Sequence, residues 1–125
     1  MKKRVRLLLP LLVLLAVLVV ESPWETKEVP KRAEDALEVH FIDVGQADCS
    51  LVLLPDDKTM LIDAGNNDDG ELVVDYLKDC GVESIDYLIG THPHEDHIGG
   101  LDDVIENFSV GEIYMPKVQT NTKTF

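Results

Sequence analysis

The sequence predicts an α/β domain in which short β-strands alternate with two amphipathic helices. Three observations lead to this fold class. Apolar and polar residues alternate along Glu38–Val44, as in a half-buried strand. Apolar residues at Leu72, Val73, Tyr76 and Leu77 follow the spacing of one helix face. A strand-like run, Ile85–Gly90, leads directly into a segment rich in histidine.

The elements follow in order from residue 38. Strands are expected over 38–44, 49–54 and 59–63, and the intervening Gly, Pro and Asp residues favour turns, so this part is predicted to be a β-meander. A helix over 71–80 should end at Gly81, because glycine commonly follows the last helical turn. A strand at 85–90, a helix at 101–108 and a strand at 110–115 complete the prediction.

The chain begins with a pattern typical of export signals. A basic run, Lys2–Arg6, precedes Leu7–Val20, which contains no charged residue. Fourteen uncharged residues are fewer than the ~20 that a membrane span needs, so residues 1–22 are predicted to be either a signal peptide or a membrane anchor. Residues 23–36 are predicted to be a linker. The folded part is expected to be extracytoplasmic, secreted or membrane-anchored, with residues 7–20 contacting the membrane if they are retained.

The charge and the cysteines argue against two kinds of function, nucleic-acid binding and zinc binding by cysteines. The net charge is −13. Four of the 11 basic residues lie in the first twenty positions, so the rest of the chain has 7 basic and 24 acidic residues. So acidic a surface repels nucleic acid unless other groups compensate. Cys49 and Cys80 form no C-x-x-C pair, so a cysteine zinc site is not expected, and both thiols are predicted to be free, although a disulfide outside the cytoplasm stays open.

The segment Thr91–Gly100 carries the chemistry. Three of the four histidines of the chain, His92, His94 and His97, lie here with Asp96. Imidazole and carboxylate groups this close together are typical ligands of divalent transition metals. Because the spacing is H-x-H-x-D-H, His92 and His94 can point toward one metal position. Asp96 and His97 can point toward a second position on the other side of the same turn. Two metal ions could then share a water and lower its pKa.

These residues resemble the metallo-β-lactamase superfamily. The run Thr91–His97 is similar to the family's metal-binding loop, and Asp63-Ala-Gly65 is similar to an upstream D-x-G element. More narrowly, Val39–Asp48 resembles the opening strand of ComEC-type competence hydrolases, although Ala47 replaces a usual glycine. The resemblance implies an αβ/βα sandwich and a metal-dependent hydrolase, with phosphodiesterase or nuclease chemistry.

The resemblance also implies roles for single residues. His92 and His94 would bind one zinc ion, and Asp96 and His97 the second, with manganese as an alternative metal. Asp96 would also be catalytic, because it would orient or deprotonate the attacking water. Asp63 would steady the metal loop. Asp43 and Asp48 are expected at most to shape the turn beside the site, and His40 to be a partly buried, hydrogen-bonded histidine.

One departure from the family affects these expectations. The family takes further metal ligands from the second half of its domain, whereas no histidine follows His97 here. Residues 37–125 are therefore expected to be the N-terminal half of the domain, with one sheet face uncovered and a tendency to self-associate. A metal-dependent hydrolase, a truncated and inactive metal-binding fragment, and an acidic interaction module in which the histidines are incidental are the three alternatives.

Overall fold

The computed structural model describes residues 35–118 of the 125-residue chain. The predicted signal or anchor segment, most of the predicted linker and residues 119–125 lie outside this range. Within it, no helix is both long and apolar enough to cross a membrane. The strands are β1 (Glu38–Phe41), β2 (Ser50–Leu53), β3 (Thr59–Ile62), β4 (Ser84–Ile89) and β5 (Ser109–Tyr114); the helices are α1 (Gly70–Asp79), α2 (Glu95–Ile98) and α3 (Leu101–Asn107), with a 3₁₀ turn at Asn67–Asp69.

The five strands form one mixed sheet in the order β1-β2-β3-β4-β5. β1, β2 and β3 pair antiparallel, which confirms the predicted meander. β4 pairs parallel to β3, and β5 parallel to β4. Parallel neighbours need a crossover, and α1 and α3 provide the two crossovers. This mixed α/β architecture is consistent with a metallo-β-lactamase fold.

Two local predictions differ from the structure. The first strand ends at Phe41, whereas the alternation predicted that it continues to Val44. Ile42 still donates a backbone hydrogen bond to Cys49 (3.0 Å), after which the chain turns. The second difference is α2, a single helical turn inside the histidine segment that periodicity did not predict, because four residues are too few to show a helical period.

The core lies on one face of the sheet. The register places His40, Leu51, Leu61 and Leu88 in one row across β1 to β4, and the three leucines of this row are fully buried. α1 and α3 cover this face and pack against each other. Their core residues are Val73, Val74, Leu77, Leu101 and Val104.

The opposite face of the sheet, which we call the open sheet face, is also largely apolar. None of its residues is buried, and Phe41 is 83% exposed. Two cross-strand rows form it, and apart from Ser50 and Glu112 its members are Val39, Phe41, Val52, Met60, Ile62, Tyr87, Ile89 and Tyr114. A face of this composition normally packs against a second layer of structure.

Candidate metal centre

The site forms where the parallel strands β3 and β4 end side by side. The backbone N–H of Asp63 donates to the carbonyl of Ile89 at 2.8 Å, so the pairing of the two strands extends one residue beyond β3. The segment after β4 therefore starts next to the Asp63 side chain. Loops at the carboxyl ends of parallel strands are common positions for functional side chains.

Asp63 anchors this segment. Its side chain is buried, and Oδ1 accepts the backbone N–H of Thr91 at 2.7 Å. Oδ2 accepts the Thr91 hydroxyl at 2.6 Å and lies 2.9 Å from Nδ1 of His97. The backbone φ of Asp63 is +57°, a left-handed conformation that aspartate tolerates better than most residues. A buried carboxylate with three donors is fully satisfied, which holds both partners in place.

The contact with Asp63 also determines which nitrogen of His97 can bind a ligand. An ionised carboxylate only accepts hydrogen bonds, so the proton of a neutral imidazole resides on Nδ1. Nε2 then carries a free lone pair. It lies 3.5 Å from Oδ2 of Asp48 and 3.7 Å from Oδ2 of Asp96. A histidine oriented by a carboxylate is the common arrangement at metal sites.

Three of the predicted ligands converge. Ligand atoms of His92, Asp96 and His97 all lie within 4.8 Å of one another. The rings of His92 and His97 have centroids 3.6 Å apart. The structure thus groups His92 with Asp96 and His97, whereas the sequence interpretation paired it with His94. The ring of His94 instead packs edge-on against His92, with centroids 4.8 Å apart.

Backbone hydrogen bonds hold the segment Thr91–Gly100 against two earlier loops of the chain. Ala64 N–H donates to the carbonyl of His97 at 2.7 Å, and Gly99 N–H donates to the carbonyl of Gly65 at 2.9 Å. Asp48 N–H donates to the carbonyl of Asp96 at 3.0 Å. The loop that contains Asp48 and the loop that contains Ala64 and Gly65 therefore both hold the short helix α2 in place. Backbone hydrogen bonds as well as side-chain contacts fix the positions of Asp96 and His97.

The two glycines after the cluster permit close packing. Their φ angles of −57° and −89° are open to any residue, so backbone conformation does not require glycine here. A Cβ on Gly99 would lie 2.3 Å from backbone atoms of Asn66 and Asn67. A Cβ on Gly100 would lie 2.5 Å from the carbonyl oxygen of Ala64. Glycine is therefore required here by contact between two backbone segments.

Two residues matter more than the sequence suggested. Asp48 was expected only to shape a turn, yet its carboxylate lies beside Nε2 of His97. Thr91 was not singled out, although it is a partner of both Asp63 oxygens; its position directly before the H-x-H motif was the available signal. Asp43 is exposed and accepts the backbone N–H of Gly45 at 3.1 Å, which is the turn-shaping role that was expected.

The two cysteines carry free thiols, as expected. Cys49 is buried near the site, and burial raises the pKa of its thiol to about 12, with the carboxylates of Asp63 and Asp69 adding to the effect. The Cys49 thiol therefore stays neutral at physiological pH in the metal-free protein. The cluster relies on imidazole and carboxylate groups alone.

The donor set fits a divalent transition metal. Two imidazoles and one carboxylate match the ligands that zinc takes in hydrolytic sites, and manganese accepts the same groups. The side chain of Asp96 is half exposed, while that of His97 is only 13% exposed. Ions and water can therefore reach the cluster from the Asp96 side. The mixed α/β sheet thus carries, at its strand ends, a His/Asp cluster that could hold a metal ion.

Comparison with known proteins identifies the family. The sequence profile of the Metallo-beta-lactamase superfamily matches residues 42–125, which is most of the chain. The chain therefore belongs to the metallo-beta-lactamase superfamily, whose members are generally metal-dependent hydrolases. It is also similar to the probable metallo-hydrolase YqgX of Bacillus subtilis (strain 168), with 33% identity over 69 residues. This match covers 55% of the chain and 31% of the relative.

Proposed function

We propose that this chain provides the metal-binding part of an exported hydrolase that cleaves phosphodiesters with an activated water. One observation carries the proposal: Asp63 fixes His97 so that Nε2 points toward the carboxylates of Asp48 and Asp96. His92, Asp96 and His97 would hold the metal, with His94 as the neighbouring fourth ligand. A divalent metal bound there would lower the pKa of water and polarise the bond that is cleaved.

Side chains of the protein would position the metal-binding histidine and the attacking water. Asp63 and Thr91 keep the His97 ring in one orientation, so the site needs little rearrangement when it binds metal. Asp96 has the half-exposed carboxylate of the cluster, which suits it to orient water and accept its proton. The His97 side chain is much less exposed than that of Asp96, so substrate should approach from the face on which Asp96 is exposed.

Phosphodiester chemistry is proposed from the resemblance of Val39–Asp48 to ComEC-type hydrolase domains. The charge of the chain restricts the form of the substrate. With 24 acidic residues against 11 basic ones, the protein offers little general attraction for a long polyanion. A small phosphodiester, neutralised locally by the metal, fits this surface better than duplex nucleic acid.

Export is proposed from Lys2–Arg6 and the uncharged run Leu7–Val20. The test is to express the full chain in a bacterium and to follow it by fractionation, beside a variant in which residues 2–22 are deleted. The full chain should be recovered outside the cytoplasm or in the membrane fraction, and the deletion variant in the cytoplasm. Equal cytoplasmic recovery of both would refute export.

The hydrolase proposal is tested with bis(p-nitrophenyl) phosphate. Wild-type chain loaded with zinc or manganese should release nitrophenol, and both chelation and His94→Ala should abolish the release. Asp43→Asn is the matched control, since this exposed carboxylate contacts only a turn, and it should leave the rate unchanged. Hydrolysis that persists after chelation and in His94→Ala would refute the proposal.

A non-catalytic metal-binding protein is the second candidate. The observation that favours it is the small donor set, since the described residues bring only three ligand-bearing groups together. Elemental analysis separates the two candidates. Stoichiometric metal that depends on His92 and His97, without any hydrolysis, would support the second candidate and exclude the first for this chain.

A further inference from the structure

A second group of side chains with nitrogen, oxygen and sulfur donor atoms lies between β1 and the end of α1. Nδ1 of His40 is 3.0 Å from the hydroxyl of Tyr76 and 4.0 Å from the Sγ of Cys80. None of these three residues takes part in the site already described, and we call them the His40–Tyr76–Cys80 cluster.

The fold places these residues together for local reasons. Tyr76 and Cys80 are four positions apart, and Cys80 N–H donates to the carbonyl of Tyr76 at 3.0 Å, so the two side chains project from the same face at the end of α1. His40 pairs with Leu51 across the sheet and therefore points to the helix-covered face. β1 and the last turn of α1 thus supply the three groups from opposite sides.

We propose that the His40–Tyr76–Cys80 cluster binds a thiophilic metal ion such as Zn²⁺ or Cd²⁺. Zinc bonds of about 2.3 Å to sulfur and about 2.0 Å to nitrogen place the two ligand atoms roughly 3.6 Å apart in a tetrahedral site. The observed 4.0 Å between Sγ and Nδ1 needs an adjustment of a few tenths of an ångström. The Tyr76 hydroxyl lies at hydrogen-bond distance from the same nitrogen and offers an oxygen ligand.

The carboxylate of Glu38 provides an independent indication. Its Oε2 lies 3.6 Å from Nε2 of His40, on the side of the ring away from Cys80. The carboxylate thus lies on the Nε2 side of the ring, while Nδ1 faces the thiol and the phenol. Metal-binding histidines commonly have a carboxylate on the second nitrogen, and Asp63 does the same for His97 in the main site.

A metal ion can reach the cluster from solvent, and its binding would release one proton from the Cys80 thiol. His40, Tyr76 and Cys80 are each half-buried, so an ion can enter from solvent. Burial raises the pKa of the Cys80 thiol, so the metal-free site holds a neutral S–H group. On binding, the S–H bond breaks, a sulfur–metal bond forms and the proton passes to solvent. No oxidant or reductant is needed.

The test is titration of the full chain with Cd²⁺, followed by the thiolate-to-metal charge-transfer absorption in the ultraviolet. Wild-type protein should show a saturable band. Cys80→Ser should remove it, and His40→Ala should weaken binding at least tenfold. Cys49→Ala is the matched thiol control and should keep the band, because Cys49 is buried and is not among the proposed ligands. Circular dichroism would confirm that each variant is folded.

Two outcomes would overturn the proposal. A full band in Cys80→Ser would assign the signal to Cys49, and an unchanged affinity in folded His40→Ala would show that the thiol binds cadmium without the cluster. The double variant His92→Ala/His97→Ala should retain the band at full strength. Loss of the band in this folded double variant would also contradict an independent second site, whatever the result of the hydrolase test.

Discussion

Oδ2 of Asp63 lies 2.9 Å from Nδ1 of His97, although the two residues are 34 positions apart in the chain. Asp63 reaches this contact from the end of β3 and His97 from the short helix α2. The same carboxylate binds both the backbone and the hydroxyl of Thr91. One buried side chain therefore connects the sheet with the histidine-rich segment Thr91–Gly100.

Replacing this carboxylate should weaken folding and metal binding together. In Asp63→Asn, the side chain keeps its size but the oxygen that faces Thr91 and His97 loses its charge. We expect a loss of about 2 to 3 kcal/mol in unfolding free energy, because charge-assisted hydrogen bonds are removed from a buried group. Metal affinity should fall by about 10- to 100-fold, since His97 loses its orientation.

The measurements are denaturant unfolding and metal titration, with Asp43→Asn as control. Asp43 is exposed, so its change should alter the unfolding free energy by no more than about 0.5 kcal/mol. Equal, small effects of the two substitutions would show that Asp63 does not support the site.

The close packing of α2 predicts a strong effect of a single methyl group. In Gly99→Ala, the new Cβ meets backbone atoms of Asn66 and Asn67 at 2.3 Å, and backbone cannot move aside cheaply. We expect a cost of about 3 kcal/mol and displacement of Asp96 and His97. Thermal unfolding and metal content measure the two effects.

Gly45→Ala is a suitable comparison for the Gly99 variant. Gly45 has φ +67°, and a Cβ there would meet nothing within 4 Å. This substitution should cost about 1 to 2 kcal/mol through backbone strain alone, with metal content unchanged. If Gly99→Ala were as mild as Gly45→Ala, close packing would not be the reason for glycine at position 99.

The open sheet face predicts self-association of this chain in solution. Phe41 is the most exposed of its apolar residues, at 83%. Exposed contiguous apolar patches favour association with other surfaces. Phe41→Lys should therefore reduce the fraction of oligomer in analytical ultracentrifugation, with little change in unfolding free energy because the side chain is already in solvent.

Glu83→Lys also introduces a lysine at an exposed position, but outside the open sheet face, and serves as the control. It raises the net charge by more than Phe41→Lys does, so an effect of charge alone would be larger in the control. A monodisperse wild-type monomer would contradict the prediction.

The buried thiol of Cys49 predicts a loss of stability at high pH. Its pKa is raised by burial from an ordinary value of 9.0 to about 12. The unfolded chain therefore releases this proton at lower pH than the folded chain, so the contribution is fully present below pH 9.0 and is lost progressively as pH rises toward 12. Denaturant unfolding at several pH values, with Cys49→Ala as reference, measures this loss.

Cys49 should also resist alkylation at neutral pH while the half-buried Cys80 reacts. Mass spectrometry of the modified peptides identifies the labelled cysteine. Faster modification of Cys49 than of Cys80 in the folded protein would contradict the burial of Cys49.

The sequence predicted the strands, the two longer helices and the segment that carries the proposed metal ligands, because these depend on local periodicity and on residue type. The alternation along residues 38–44 separated two sets of side chains without deciding which set faces the core, and the structure has Ile42 and Val44 buried and Phe41 exposed. The end of β1 and the helix α2 were not predicted correctly, since hydrogen bonds to residues distant in sequence determine both.

By itself, the sequence determined that His92, His94, Asp96 and His97 belong to one short segment and that Asp63 lies at a strand end. Only the tertiary structure decided which of them meet. The parallel pairing of β3 and β4 brings Asp63 to Thr91 and His97, and the loop contacts bring Asp48 beside the cluster. The reason is physical: spacing along a chain fixes local directions, whereas distances between strand ends depend on sheet register and close packing, which arise only when distant segments fold together.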